Sequence, residues 1–246
     1  MEHAKLERYG LISVSGEDAR DFLHAQLTAD IKGLARDRAA FAGWCTAKGR
    51  LLATFLVVPV KDGFLLQLSR DLVPAVAKRL SMFVLRSKVK VVDATSSWAQ
   101  VGSWGEDVEP RGDFQVLENA EGLTVRVGPS RFLHLSLPEK NIQPTASEEQ
   151  WRIQEIQAGR PWIGAATQDQ FVPQMVNLEK LGGVDFHKGC YPGQEIVARA
   201  QYRGEVKRRM VRLPAPAGEA LKPGQEYNGG TVVDVAAGEM LAVMPV

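Results

Sequence analysis

The residues most able to do chemistry lie between Leu181 and Arg212, where Cys190 sits inside a glycine-rich loop. Gly182-Gly183, Gly189 and Pro192-Gly193 give that loop unusual backbone freedom. His187 and Lys188 precede the cysteine, and Arg199 and Arg203 follow it. Gln194 to Arg203 reads as a short helix ended by Gly204, so Cys190 falls just before a helix N-terminus. Positive neighbours and the helix dipole both favour the thiolate, which is the nucleophilic and metal-binding form. The bland alternative is a small apolar packing residue, the commoner fate of a lone cysteine. These features alone leave both readings open.

The same segment concentrates charge. From Lys188 to Arg212 seven cations (Lys188, Arg199, Arg203, Lys207, Arg208, Arg209 and Arg212) face two acids, Glu195 and Glu205. The segment carries +5, in a chain whose formal net charge is +1. Such a stretch suits a carboxylate tail or an RNA phosphate. A solvated helix followed by a strand edge would have the same composition.

Other chemistries find little support. His187 and Cys190 have a ligand-like spacing, but Cys45 is remote and His3, His24 and His134 are scattered, so no metal site is expected. Neither GxxxxGK[ST] nor GxGxxG occurs, and GxSxG is absent. Trp44, Trp98, Trp104, Trp151 and Trp162 either line an aromatic pocket or belong to the core.

The elements that must position these residues follow from patterning. Gly10–Ser15 alternates as a strand. Ser15 and Asp18 suggest a capping box for a helix over Gly16–Thr28, with Ala19, Phe22, Leu23 and Leu27 on one face. Ala39–Thr46 and Leu51–Val60 read as strands joined at Ala47-Lys48-Gly49-Arg50, and Asp62-Gly63 turns the chain into a strand over Phe64–Leu68. Asp71 is placed to cap a helix carrying Leu72, Val76, Leu80 and Phe83. Short strands are expected at Lys88–Val92, Gln100–Trp104, Phe114–Leu117, Leu123–Val127 and Phe132–Leu137. After the polar connector Asn141–Ala146, Ser147 and Gln150 form a second capping box, and Gly159 and Pro161 end that helix. Beyond Arg209 the chain is turn-rich and short-stranded. The fold class is α+β.

Length and composition agree. The chain has 246 residues, 30 Lys+Arg against 29 Asp+Glu, and 45% hydrophobic residues, which fits a folded protein and argues against a general nucleic-acid coat. Two cysteines exclude a disulfide framework and fit a reducing compartment. MEHAKLERYG lacks the apolar core of a signal peptide, and the longest apolar run, Leu51–Val60, is half of what a membrane helix needs. A soluble, cytoplasmic protein with no membrane partner is expected.

The segment KGCYPGQE, Lys188 to Glu195, resembles the signature of the YgfZ-type folate-binding proteins, relatives of the glycine cleavage aminomethyltransferase and of mitochondrial iron–sulfur assembly factors. The likeness extends upstream through Ala158-Gly159-Arg160-Pro161 and QFVPQMVNLEKLGGVDF, and downstream through ARAQYRGEVKRR. SGEDARDFLHAQLTADI and CTAKGRLLATFLV resemble the family's opening helix and hairpin, so most of the chain is covered. The resemblance implies an aminomethyltransferase-like folate-binding α+β domain over residues 1–205 and a short β-barrel-like domain over 206–246. It implies tetrahydrofolate or a derivative as cofactor, iron–sulfur client enzymes as partners, and tRNA as a further partner through the enzymes that modify it. Cys190 would be the reactive thiol with Lys188 favouring its thiolate; Gly189, Tyr191, Gly193, Gln194 and Glu195 would shape the loop. Gln157, Arg199 and Arg203 would contact folate, and no resident metal is implied.

Two departures separate this chain from the transferases. Their paired acid in the second hairpin strand corresponds here to Ala53 and Thr54, so a carboxylate for proton transfer is missing. Their pterin-binding Glu corresponds to Gln157, which can donate and accept but lacks the charge. These departures argue against a true aminomethyltransferase, which stands as the alternative function together with a tRNA-binding module.

Overall fold

The computed structural model describes residues 1–140 and 142–246. Asn141, which opens the polar connector, lies outside the described residues. In chain order the elements are β1 (Glu2–Lys5), β2 (Tyr9–Ser15), α1 (Ala19–Gln26), β3 (Ala40–Cys45), β4 (Leu51–Val60), β5 (Gly63–Ser69), α2 (Val73–Ser81), β6 (Lys90–Asp93) and β7 (Ala99–Trp104). There follow β8 (Val116–Asn119), β9 (Gly122–Gly128), β10 (Arg131–Ser136), α3 (Glu148–Gln157), α4 (Gln194–Tyr202), β11 (Arg208–Pro214), β12 (Glu226–Tyr227), β13 (Gly230–Ala236) and β14 (Glu239–Pro245). The α+β class is as expected. The chain divides into two compact units, both assembled from separate stretches of sequence.

The first unit comprises Met1–Arg20, Gly33–Ala40 and Leu56–Trp151. It holds an antiparallel sheet of order β1-β7-β10-β9-β8, and a second one in which the end of β4 is followed by β5, β2 and β6. A buried polar relay crosses between them: Gln67 donates to Gln100 (2.9 Å), which donates to the Tyr9 carbonyl (3.0 Å). Trp151 lies so close over Gly102 that a Cβ there would meet its ring at 2.4 Å. The second unit comprises Asp21–Lys32, Phe41–Phe55 and Arg152–Val246. It contains most of α1, β3, the first half of β4, α4, and an open four-stranded sheet of order β11-β14-β13-β12. The C-terminal β module expected from the turn-rich sequence is therefore present, as an open sheet and not a closed barrel.

Nine of the ten residues of β4 are buried, which explains why this strand reads as a continuous apolar run and not as an alternation. The Ser147–Gln150 capping box forms as read: Gln150 N–H donates to Ser147 Oγ (3.3 Å) and Ser147 N–H to Gln150 Oε1 (2.8 Å). The Ser15–Asp18 box does not. Gly16 takes a φ of 120°, α1 starts only at Ala19, and the Asp18 carboxylate instead accepts the Lys88 N–H at 2.7 Å. Asp71 likewise falls in a 3-10 turn, Arg70–Leu72, ahead of α2. β1 was not anticipated; its four residues are too few to show a period.

Candidate functional site

The Cys190 loop is built within the second unit from a chain of short-range devices. Thr28, fully buried after α1, donates its backbone N–H to the carbonyl of Gly43 in β3 (2.9 Å). Its hydroxyl accepts the Gly43 N–H (2.8 Å) and donates to the Gly183 carbonyl (2.5 Å). Its own carbonyl accepts the Asp185 N–H at 2.9 Å. The Asp185 carboxylate then accepts the N–H groups of His187 (2.7 Å) and Lys188 (3.1 Å), folding the chain back in an Asx-type turn.

That turn aims Lys188 inward. Its ammonium donates to the carbonyls of His24, Leu27 and Ala29, the last at 3.1 Å. A cation is thus set at the C-terminal end of α1, where the helix dipole favours it. The ammonium also lies 5.1 Å from the centre of the buried Tyr191 ring. Burial lowers the Lys188 pKa to about 8, against the raising influence of Asp30 and Asp185, and burial also pushes the Tyr191 phenol well above its usual range. Lys188 is therefore first an anchor: its donors face α1.

Gly193 takes a left-handed φ of 81° at the residue before α4. A Cβ there would meet the Thr46 carbonyl oxygen at 2.4 Å and Gly49 Cα at 2.6 Å. Gly49, with φ 71°, has Ile196 Cβ at 2.9 Å from the place of its own Cβ. The β3–β4 turn and the N-terminus of α4 thus interlock glycine against glycine, and no side chain fits at either position. Gln194 donates to the Lys188 carbonyl at 3.5 Å, and Glu195 pairs with Arg199 at 3.2 Å. Tyr191 is buried and Lys188 half-buried, whereas Gly189 and Cys190 are exposed. Cys45 is the opposite case, a buried thiol whose pKa burial pushes up to about 12.

The basic segment is largely consumed by the structure. Arg209 ion-pairs with Glu179 and donates to the Gln174 carbonyl (2.8 Å) and to Asn177 Oδ1 (3.3 Å). Arg199 pairs with Glu195, Arg212 with Glu239 (3.6 Å), and Arg208 donates to the Gly229 carbonyl. With Lys188 on α1, five of the seven cations have partners within the chain. Arg199 in α4 and Arg203 at its C-cap are exposed and border a depression of about 230 Å³ with Glu195, Ala198 and Tyr202. That is smaller than a typical small-molecule pocket. Gln157 donates its amide to Glu239 of β14 at 2.7 Å.

Ala53 and Thr54, where the transferases carry acids, are fully buried. The Thr54 hydroxyl donates to the Pro161 carbonyl (2.6 Å) and accepts the Ile163 N–H (3.0 Å), so it fixes the segment leaving α3 and is closed to solvent.

Two arrangements escaped the sequence reading. Gly159, at φ 66°, closes α3 with Arg160 N–H donating back to the Glu155 carbonyl (3.1 Å). This returns Arg160 to Glu155 as a buried ion pair (2.9 Å), and the same carboxylate accepts Trp162 Nε1–H at 2.6 Å. The cue was present: a helix stopped at Gly159 places Arg160 over Glu155. The second is His24, whose Nε2 lies 3.7 Å from where a Gly189 Cβ would be, while Nδ1 faces Asp30 at 3.1 Å. Burial, then the Lys188 charge, lowers its pKa. No short-range signal in FLHAQL marks it. Among the described residues no group of three His, Cys, Asp or Glu is placed to hold a metal ion, and no helix is long and apolar enough to cross a membrane.

No protein-family model matches the chain. Among curated proteins, the tRNA-modifying protein YgfZ of Serratia proteamaculans is 31% identical over 241 residues, covering 90% of this chain and 73% of that protein. That of Vibrio vulnificus is 30% identical over 223 residues, covering 85% and 68%. Among solved structures, the glycine cleavage system aminomethyltransferase T from Bartonella henselae superposes with a TM-score of 0.74 at 14% identity, over 99% of this chain and 78% of that one. At that identity the likeness shows the fold.

Proposed function

The chain belongs to the YgfZ family of tRNA-modifying proteins, and from that premise we propose that it is a folate-binding accessory protein supporting the assembly or repair of iron–sulfur enzymes that modify tRNA. The observation that carries the proposal is the anchoring of the KGCYPGQE loop: Lys188, Tyr191, Gly193 and Gln194 are each held against α1, the β3–β4 turn or their own loop, while Cys190 is left exposed. A side chain presented by a pre-organised loop is in the state a nucleophile or transient ligand needs. Arg199 and Arg203 would hold the glutamate end of the folate, where planar guanidinium groups suit carboxylates. Folate would bring a pterin ring, for which Gln157 offers both a donor and an acceptor. The fully buried Ala53 and Thr54 disfavour the alternative, a one-carbon transferase.

The test is complementation in a strain deleted for this gene, reading both tRNA modification and the activity of an iron–sulfur enzyme. Cys190→Ala should lose most of the rescue, and Cys190→Ala with full rescue would remove the thiol role. Calorimetry with tetrahydrofolate should show binding to the wild type and weaker binding to Arg203→Ala. Heat-silent titrations of both would remove folate. Steady turnover of an aminomethyl donor in the presence of tetrahydrofolate would favour the transferase reading.

A further inference from the structure

A second cation-rich stretch does not take part in the loop. Between Asp71 and Asp93 there is no acidic residue: the 21 residues Leu72–Val92 carry Lys78, Arg79, Arg86, Lys88 and Lys90 and no acid within the stretch. All five are exposed. Lys88 pairs with Glu17 at 2.6 Å, and among the described residues Lys78, Arg86 and Lys90 make no ion pair. Lys78 and Arg79 lie in the last turn of α2, where the dipole alone would favour cations, and β6 is an edge strand, where a lysine such as Lys90 discourages edge pairing. Neither reason covers Arg86, nor the apolar groups amid the charge.

Met82, Phe83 and Leu85 are 69%, 42% and 89% exposed. Leu85 has a φ of 46°, a conformation that costs a leucine about 1 kcal/mol or more. The segment is held by Phe83 N–H to Leu80 O (3.0 Å), Val84 N–H to Ser81 O (3.2 Å) and Ser87 N–H to Val84 O (2.8 Å). It is therefore a shaped projection: apolar and aromatic groups held out among cations. The apolar residues of α2 itself, Val73, Val76 and Leu80, are buried in the unit. No amphipathic helix face is left to enter a bilayer, which argues against a membrane surface.

We propose that the end of α2, the Met82–Leu85 projection and the start of β6 form an RNA-binding surface. Lys78, Arg86 and Lys90 meet phosphates of the polyanion. This rests on the tRNA-modification reading above, which supplies a polyanion as the partner. It moves the RNA interface from Lys188–Arg212, whose cations are mostly engaged, to a surface on which Lys78, Arg86 and Lys90 make no ion pair among the described residues.

The test is fluorescence anisotropy with labelled unfractionated bacterial tRNA across a salt series, using the full chain. The wild type should bind, with affinity falling steeply as salt rises. Lys78→Glu/Arg86→Glu/Lys90→Glu should bind at least about tenfold more weakly, with a log–log salt slope shallower by about two to three. An equal charge change elsewhere, Lys180→Glu/Lys207→Glu/Lys222→Glu, should cost under threefold. Wild-type affinity and slope in the first triple variant, at an unchanged unfolding midpoint, would overturn the proposal. So would an equal loss in the second triple variant, or binding of the wild type to phosphatidylglycerol vesicles but not to tRNA. Complementation separates the two readings: a wild type that rescues tRNA modification but binds no RNA sinks only this surface, whereas a wild type that fails to rescue sinks the functional reading.

Discussion

Lys188–Arg212 and Leu72–Val92 each carry +5 by composition, the first from seven cations and two acids, the second from five cations and none. In the first, Lys188 holds the end of α1, Arg209 is locked to Glu179, and Arg199, Arg208 and Arg212 each have a partner. In the second, all five cations are exposed, Lys88 pairs with Glu17, and among the described residues Lys78, Arg86 and Lys90 make no ion pair. Net charge is thus a poor guide to an electrostatic footprint. What matters is whether acceptors lie within reach of each cation. A segment that wraps through carbonyl-rich helix ends and buried carboxylates uses its charge for folding. A segment on a helix terminus and a sheet edge has fewer acceptors within reach and keeps part of its charge toward solvent.

This contrast breaks most readily at the glycine interlock. Gly193→Ala would force a Cβ into the Thr46 carbonyl and add strain at a φ of 81°. Backbone cannot give as a side-chain tip can, so about 3–5 kcal/mol should be lost, read as a large drop in the unfolding midpoint. A loss under about 1 kcal/mol would mean that the two turns are not locked. Next in size is Arg209→Met, which leaves Glu179 mostly buried without its guanidinium. We expect a loss of about 2–4 kcal/mol by denaturant unfolding. A neutral result would place Arg209 with the available cations and erase the distinction between the segments.

Much of this was legible beforehand. The KGCYPGQE loop, the hairpin at β3–β4 and the Ser147–Gln150 box depend on local rules that residue type reveals. Closeness in sequence makes Lys188 look like the activator of Cys190. Its actual acceptors, the carbonyls of His24, Leu27 and Ala29, lie some 160 residues away and offer no residue-type signal, since every residue has a carbonyl. The Leu72–Val92 stretch was read only as a helix and a strand, because its apolar spacing is helical; what spacing cannot say is that Met82, Phe83 and Leu85 overshoot the helix and stay exposed.

Lys188 also makes the contrast depend on pH. Its pKa falls from the usual lysine range to about 8 on folding, chiefly through burial. Between about pH 8 and the normal lysine value the unfolded chain binds more protons at this site than the folded one, so its contribution to stability rises with pH across that window. Below pH 8 both states are protonated and the contribution is flat. The stability of the wild type minus that of Lys188→Met should therefore climb as pH is raised from 7.5 to 9.5. A difference that stays level would mean that the carbonyl cage fully offsets desolvation of the ammonium.

The smallest expected effect is the sharpest test of the comparison. Arg86 is exposed, pairs with no carboxylate among the described residues and lies beyond the end of α2. Arg86→Ala should therefore change unfolding stability by no more than about 0.5 kcal/mol, the range of surface substitutions away from special features. The exposed Glu195–Arg199 pair sets the scale from the other segment: Arg199→Ala should cost well under about 1 kcal/mol, since exposed i,i+4 pairs contribute little. If both are near-silent in stability, the two segments differ in what their anchored cations do and not in how arginine behaves at a surface. If Arg86→Ala were to cost as much as Arg209→Met, Arg86 would be holding the Met82–Leu85 projection together, and its charge would no longer be free for RNA.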